Sequence, residues 1–193
     1  MARHKEFDAD AALDKAMETF WAKGYQATSI HNLLERMRIN RGSLYHAFGD
    51  KQTLFLAALD RYDRVVTRRL LEILQAEASG REAIRRFFLA KLDSTRVAGR
   101  PPGCLVTNAA IERARYDPAT GAKVRACLAQ MEAAFYKAVV RARASGEIPA
   151  KHDLRALARY LTNSAQGLSV LARAGVGRAV LEDVVRVTLA ALG

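Results

Sequence analysis

Cysteine is scarce in this chain: Cys104 and Cys127 stand alone among 193 residues. With no CxxC pair and no Cys/His cluster, a disulfide framework and a zinc site both lack ligands, and two reduced thiols are expected. No apolar run approaches the roughly 20 residues that cross a bilayer. The opening Met1-Ala2-Arg3-His4-Lys5-Glu6 has no apolar segment of the secretory kind. A cytoplasmic location with no membrane partner is therefore expected. Strand-like alternation and repeats at a solenoid period are missing too. The four histidines, His4, His31, His46 and His152, form no HExxH or triad-like pattern, and neither a P-loop nor GxGxxG occurs. No metal, no cofactor and no catalytic residues are expected. Adjacent carboxylates such as Glu182-Asp183 fall on a helix face that reads as solvated, so a small helical enzyme stands only as a rival reading.

What is present is helical periodicity. Leu13, Ala16, Met17, Phe20 and Trp21 share one face of a first helix that Gly24 closes. Thr28 and Ser29 are placed to cap a second, with Ile30, Leu33, Leu34 and Met37 inward. The chain turns at Arg38-Ile39-Asn40, and Asn40 caps a third helix from Arg41 to about Ala47. That helix is too short to be stable alone, so Leu44 and Phe48 must anchor it in a shared core. The other face carries Arg41, Ser43, Tyr45 and His46, with Gly42 allowing close approach and Lys51 alongside. Such groups bond base edges and phosphate oxygens, and the capped start of the second helix offers free N–H groups to anions. Spacing alone leaves open a plain solvated face.

Residues 9–55 resemble the DNA-binding domain of the tetracycline-repressor (TetR/AcrR) family of bacterial regulators. The resemblance rests on Phe20, Gly24-Tyr25, Ala27-Thr28-Ser29-Ile30, Arg41 through Phe48, and Lys51-Gln52-Thr53-Leu54. It implies that Thr28, Ser29, Tyr45 and Lys51 hold phosphates while Arg41, Ser43 and His46 face bases of double-stranded DNA. Members usually have Ala-Gly-Val between the second and third helices. This chain has Met37-Arg38-Ile39, so Arg38 is expected to carry an uncomfortable backbone angle, or to add a phosphate contact.

Net charge is +11, but residues 1–51 hold 8 Lys and Arg against 7 Asp and Glu, and the other 142 residues hold 23 against 13. Overall basicity thus favours polyanions in general, and the local run Arg36, Arg38, Arg41, Lys51 is the better pointer to DNA.

From Lys51 onward the chain reads as amphipathic helices, for an all-α fold of about nine helices. An N-terminal three-helix helix-turn-helix domain, 1–50, precedes a helical effector-binding and dimerisation domain, 51–193. Stripes run through Phe55, Leu59, Tyr62, Val66, Leu70 and Ile73, then Ile84, Phe87, Phe88 and Leu92, with Gly99 to Gly103 an interruption. A helix from about Cys104 to Arg115 and a long one through Val124, Leu128, Met131, Phe135, Val139 and Ala142 follow. The last two helices carry Leu154, Leu157, Leu161, Ala165, Leu168 and Leu171, then Val180, Val184, Val187 and Leu192. Small residues Asn163, Ser164, Ala165, Gly167 and Ser169 permit close helix contact. A homodimer that pairs these helices is expected to set two heads about 34–36 Å apart on a near-palindromic operator; the alternative is that they complete the monomer's own core.

Cys104, Asn108 and Glu112 recur on one helical face, which should line something. The stretch resembles a Gly-Cys-Leu-x-x-Asn-x-x-x-Glu segment in one branch of the same family, including regulators that respond to electrophiles or oxidants. In a first helical turn Cys104 would have its thiolate favoured; the alternative is a small buried core residue. Cys127, mid-helix, reads as inert. A small-molecule effector would otherwise sit among the helices between 55 and 173, with Phe87, Phe88, Tyr116, Phe135 and Tyr136 as aromatic surface and Arg85, Arg86 or Arg113 meeting an anion. The functional expectation is a repressor released from its operator by such an effector; effector-independent DNA binding is the alternative.

Overall fold

The computed structural model describes residues 7–95, 97 and 99–193; the opening stretch read for a leader, with His4, lies outside them. The described chain is helical throughout: α1 (Ala9–Lys23), α2 (Ile30–Met37), α3 (Arg41–Phe48), α4 (Lys51–Tyr62), α5 (Arg68–Ala76), α6 (Gly80–Ser94), α7 (Leu105–Glu112), α8 (Pro118–Ala144), α9 (Leu154–Arg173) and α10 (Arg178–Ala190). A π-helical stretch, Asp63–Thr67, joins α4 to α5, so that 51–76 is one rod and the described helices number nine.

Local chemistry sets the boundaries. Asp8, Ser29, Asn40, Asp50, Ser79, Asp117 and Asp153 each accept backbone N–H groups at a helix start, and Pro118 fills the first position of α8, where a missing N–H costs nothing. Ser29 forms a reciprocal capping box with Asn32, at 3.1 and 3.2 Å. Gly80 opens α6 for a packing reason: a Cβ there would lie 2.0 Å from the Ala138 carbonyl oxygen. Only hydrogen lets α6 cross α8 so closely.

Two buried clusters form the interior. One gathers Phe20, Leu33, Leu44 and Phe55 and continues past residue 50 into Tyr62, Leu105, Val106 and Ala109. Phe20 and Tyr25 both lie edge-on to Phe55, with centroids 5.0 and 4.9 Å away, and Trp21 meets Tyr62 at 4.9 Å. The other is built round Phe87, edge-on to Phe88 and Phe135 at 5.4 and 4.9 Å, with Phe88 and Phe135 stacked at 5.8 Å. These rings, expected as effector surface, are fully buried packing.

The final helices divide their faces. Leu157, Leu161, Ala165 and Leu168 point into the chain's own core, as do Ser164 and Ser169. The outward stripe is a different one: Tyr160, Asn163, Gly167 and Val170 on α9, with Val180 and Val187 on α10, the last 56% exposed.

Arg38 ends α2 in the left-handed region, φ 56° and ψ 40°. A side chain costs about 1 kcal/mol there relative to glycine. Arg38→Gly should raise the urea midpoint by an amount equivalent to about 0.5–1 kcal/mol with m unchanged. A lower midpoint would show that Arg38 makes contacts outweighing its strain.

Candidate nucleic-acid interface and its junction

Helix α3 is anchored by fully buried Leu44 and by half-buried Phe48, whose ring lies 6.4 Å from that of Phe7. That anchoring turns Arg41, Tyr45 and His46 outward at spacings of four and five residues, all exposed. Ser43 is half-buried, and its backbone N–H donates to the Asn40 side chain at 2.8 Å. A Cβ on Gly42 would meet only that same Asn40 oxygen, at 3.3 Å, so this face is open to a neighbouring surface. Ser29 is exposed at the start of α2, and Arg36 and Arg38 are exposed near its end.

Thr28 is placed otherwise than expected. Its side chain is fully buried, and its hydroxyl donates to the Gly24 carbonyl at 2.6 Å. It braces the α1–α2 turn from within, and its side chain faces no partner molecule. Lys51 is half-buried at the first position of α4, with Nζ 4.2 Å above the Tyr25 ring. Burial, then the nearby Arg113 charge, lowers its ammonium below the ordinary lysine value.

Asn108 and Glu112 share a face with Cys104, as the spacing requires, but that face is clamped onto the three-helix head. The Asn108 amide donates to the Trp21 carbonyl at 3.3 Å. The Glu112 carboxylate accepts the Tyr25 and Gln26 backbone N–H groups at 2.8 and 3.3 Å. Gly24 makes this approach possible: its φ is 81°, and a Cβ would lie 2.1 Å from a Glu112 oxygen. Arg173, from α9, donates to the Trp21 and Ala22 carbonyls at 3.0 and 3.3 Å, a cation at the negative end of α1. Arg61 of α4 grips Asp14 of α1 through two bonds of 2.8 and 2.9 Å. Gln52 links the start of α4 to Asp117 at 2.7 Å and to Arg113 at 2.9 Å.

Cys104 is the cap residue preceding α7, one position before its first turn, and is 9% exposed. Beside it lies Tyr62, whose phenol is held well above its ordinary value by burial first and by the Cys104 thiol second. Burial pushes the Cys127 thiol up to about 12, in keeping with an unreactive core residue. The arginines expected to meet an effector are otherwise engaged: Arg85 with Glu82, Arg86 with Glu77, and Arg113 with Gln52 and the Tyr25 ring. Tyr116 is exposed, and Tyr136 lies under Arg155. Arg173 was missed in the sequence, where an arginine ending a helix signals nothing beyond its own carbonyls.

A short exposed helix held outward by a three-helix core, and wedged against a larger helical body, defines a helix-turn-helix regulator. Residues 12–58 match the model for bacterial regulatory proteins of the tetR family, and residues 80–187 match the tetracyclin repressor-like C-terminal domain. YezE of Bacillus subtilis, an uncharacterized HTH-type transcriptional regulator, is 37% identical over the whole of both chains. The HTH-type transcriptional repressor ComR of Escherichia coli is 34% identical over 97% of this chain and 90% of its own. Among solved structures, the TetR family regulator CifR, a cysteine mutant complexed with 26-bp operator DNA, superposes with a TM-score of 0.89 at 33% identity, covering 99% of this chain and all of the other. The chain belongs to the tetR family of bacterial transcriptional regulators.

The Glu112 contact is testable without DNA. Glu112→Ala takes the acceptor from the part-buried Tyr25 N–H, while the exposed Gln26 N–H can turn to water, and should cost about 1 kcal/mol in urea unfolding. Amide exchange at Tyr25 and Gln26 should accelerate beyond the global change; unchanged exchange there would show that the carboxylate is dispensable to the turn.

Proposed function

We infer that the chain is a cytoplasmic DNA-binding repressor, not an enzyme, that acts as a homodimer on a near-palindromic operator and is released by a small-molecule or electrophilic effector. The observation that carries this reading is the outward set Arg41, Tyr45 and His46 on a helix whose other face is buried. Arg41, Ser43 and His46 are the proposed base contacts. Ser29, Tyr45 and Lys51 are the proposed phosphate contacts, with Lys51 moving off the Tyr25 ring. Thr28 is left out, because its hydroxyl already serves Gly24. Residues 1–50 would read DNA and 51–193 would dimerise and sense.

The dimer is supported by the exposed apolar stripe of Val170, Val180 and Val187 on the two last helices, which water would otherwise cover at a cost. CifR was solved on operator DNA. Among the described residues no helix is long and apolar enough to cross a membrane, which agrees with a cytoplasmic location.

Sensing requires a coupling of about 1–3 kcal/mol between effector site and reading head. Helix α7 suits that role: Cys104 starts it, and Asn108 and Glu112 end on the head. A modification at Cys104 would displace α7 and, through these bonds, tilt α1 and its turn. Asn108 and Glu112 then act as transmitting residues, not as effector contacts. The π-helical stretch next to Tyr62 offers the rod a place to bend.

Genomic fragments captured by the purified protein should contain an inverted repeat. On that sequence Arg41→Ala should cost about 1–3 kcal/mol and relax base preference. Tyr45→Ala and Lys51→Ala should weaken binding to every sequence, each lowering the salt slope by about one. Unchanged binding in all three rejects the assigned surface. Cys104→Ser should keep basal binding and abolish release by an electrophile such as N-ethylmaleimide; release that persists removes the thiol from the mechanism.

A further inference from the structure

Lys91 lies on the inward stripe of α6, one turn beyond Phe87 and Phe88, where an apolar residue is the default. Its ammonium donates to the Ser169 hydroxyl at 2.8 Å and has no acidic partner among the described residues. Burial pulls it below the ordinary lysine value. It opens onto a small recess of about 30 Å³ between α1, the π-helical stretch, α6, α9 and the loop at Arg100–Gly103. A second cation, Arg100, lines the same recess with its guanidinium 5.0 Å over the Trp21 ring, also without a carboxylate partner among the described residues. Among the described residues no acidic side chain lines the cavity, while Val66, Leu92 and Leu168 give it an apolar wall. Trp21, on the same wall and 4% exposed, has an indole N–H with no acceptor among the described residues.

Two half-buried cations and a buried spare donor facing one recess favour an anion that neutralises them. We propose that this recess is the effector site and that it binds a short-chain carboxylate, its charged end between Lys91, Arg100 and the Trp21 N–H and its short tail against Val66 and Leu168. The small volume restricts the occupant to the shortest carboxylates. One wall is Trp21 itself, whose carbonyl receives Asn108 and Arg173. A bound anion therefore touches α1 of the reading head directly, and α6 and α9 from the body. The coupling to DNA rests on the regulatory reading above; the binding does not.

Trp21 is the chain's single tryptophan, so its emission reports the recess in the free protein. Sodium acetate, propionate and butyrate are titrated at constant ionic strength against sodium chloride, with propionamide as the neutral counterpart. At least one carboxylate should give a saturable change in Trp21 emission that chloride and propionamide do not. Lys91→Met and Arg100→Gln should each raise its Kd tenfold or more, and Lys91→Met should also raise Tm, because an unpaired ammonium leaves a part-apolar site. Arg100 sits in a loop, so Arg100→Gln keeps the comparison valid if the α6 variant folds poorly. No saturable response to any of the three acids, or a response equal in both variants, overturns the site. The same carboxylate should weaken operator binding in the wild type but not in Arg100→Gln. Saturable Trp21 quenching without operator release would keep the site and reject its coupling, whereas a protein that binds no operator at all fails the regulatory reading and leaves the emission result standing.

Discussion

The structure depends on one carboxylate meeting one turn. Glu112, at the end of α7, accepts two backbone N–H groups from the α1–α2 connection, and the absence of a side chain at Gly24 allows it in. A turn of this kind has no ladder to satisfy its donors, and the part-buried Tyr25 N–H is costly to leave unpaired. The body of the protein supplies the acceptor. The three-helix head is therefore not a self-contained unit appended to a helical bundle. Asn108 and Arg173 finish α1 by bonding its last carbonyls, and the buried cluster round Phe20 runs on into Leu105 and Ala109.

This arrangement gives the head two kinds of attachment with different consequences. The aromatic contacts among Phe20, Tyr25 and Phe55 are non-directional and tolerate small shifts. The polar contacts from α7, α9 and Arg61 are directional and do not. A displacement of α7 by a fraction of an ångström would be absorbed by the rings and felt by the hydrogen bonds. The rod from Lys51 to Ala76 adds a defined place to yield, since its π-helical middle lies beside Tyr62 and the enclosed end of α7.

The outer surfaces are sorted by the same packing. Leu44 and Phe48 hold α3 so that its polar side faces away from the body, and Leu157 to Leu168 turn α9 so that Tyr160, Gly167 and Val170 face outward. The polar side of α3 and the apolar outward stripe of α9 and α10 are thereby separate faces, from opposite parts of the chain sequence. Lys91 and Arg100, both half-buried, line one recess between α1, α6 and α9.

The amino-acid sequence by itself determined the helices, their caps, the strained Arg38 and the outward set on α3. These follow from spacing, from short polar side chains at helix starts and from backbone sterics, all of which act within a few residues. Only the tertiary structure decided that Thr28 turns inward, that Asn108 and Glu112 hold the reading head, that Phe87 and Phe135 are packing, and that the outward stripe of α9 is not its leucine stripe. Each of those depends on which of several compatible surfaces a helix presents to a partner far away in the chain. Periodicity states that a face exists; only the competition among all buried surfaces in three dimensions states what covers it.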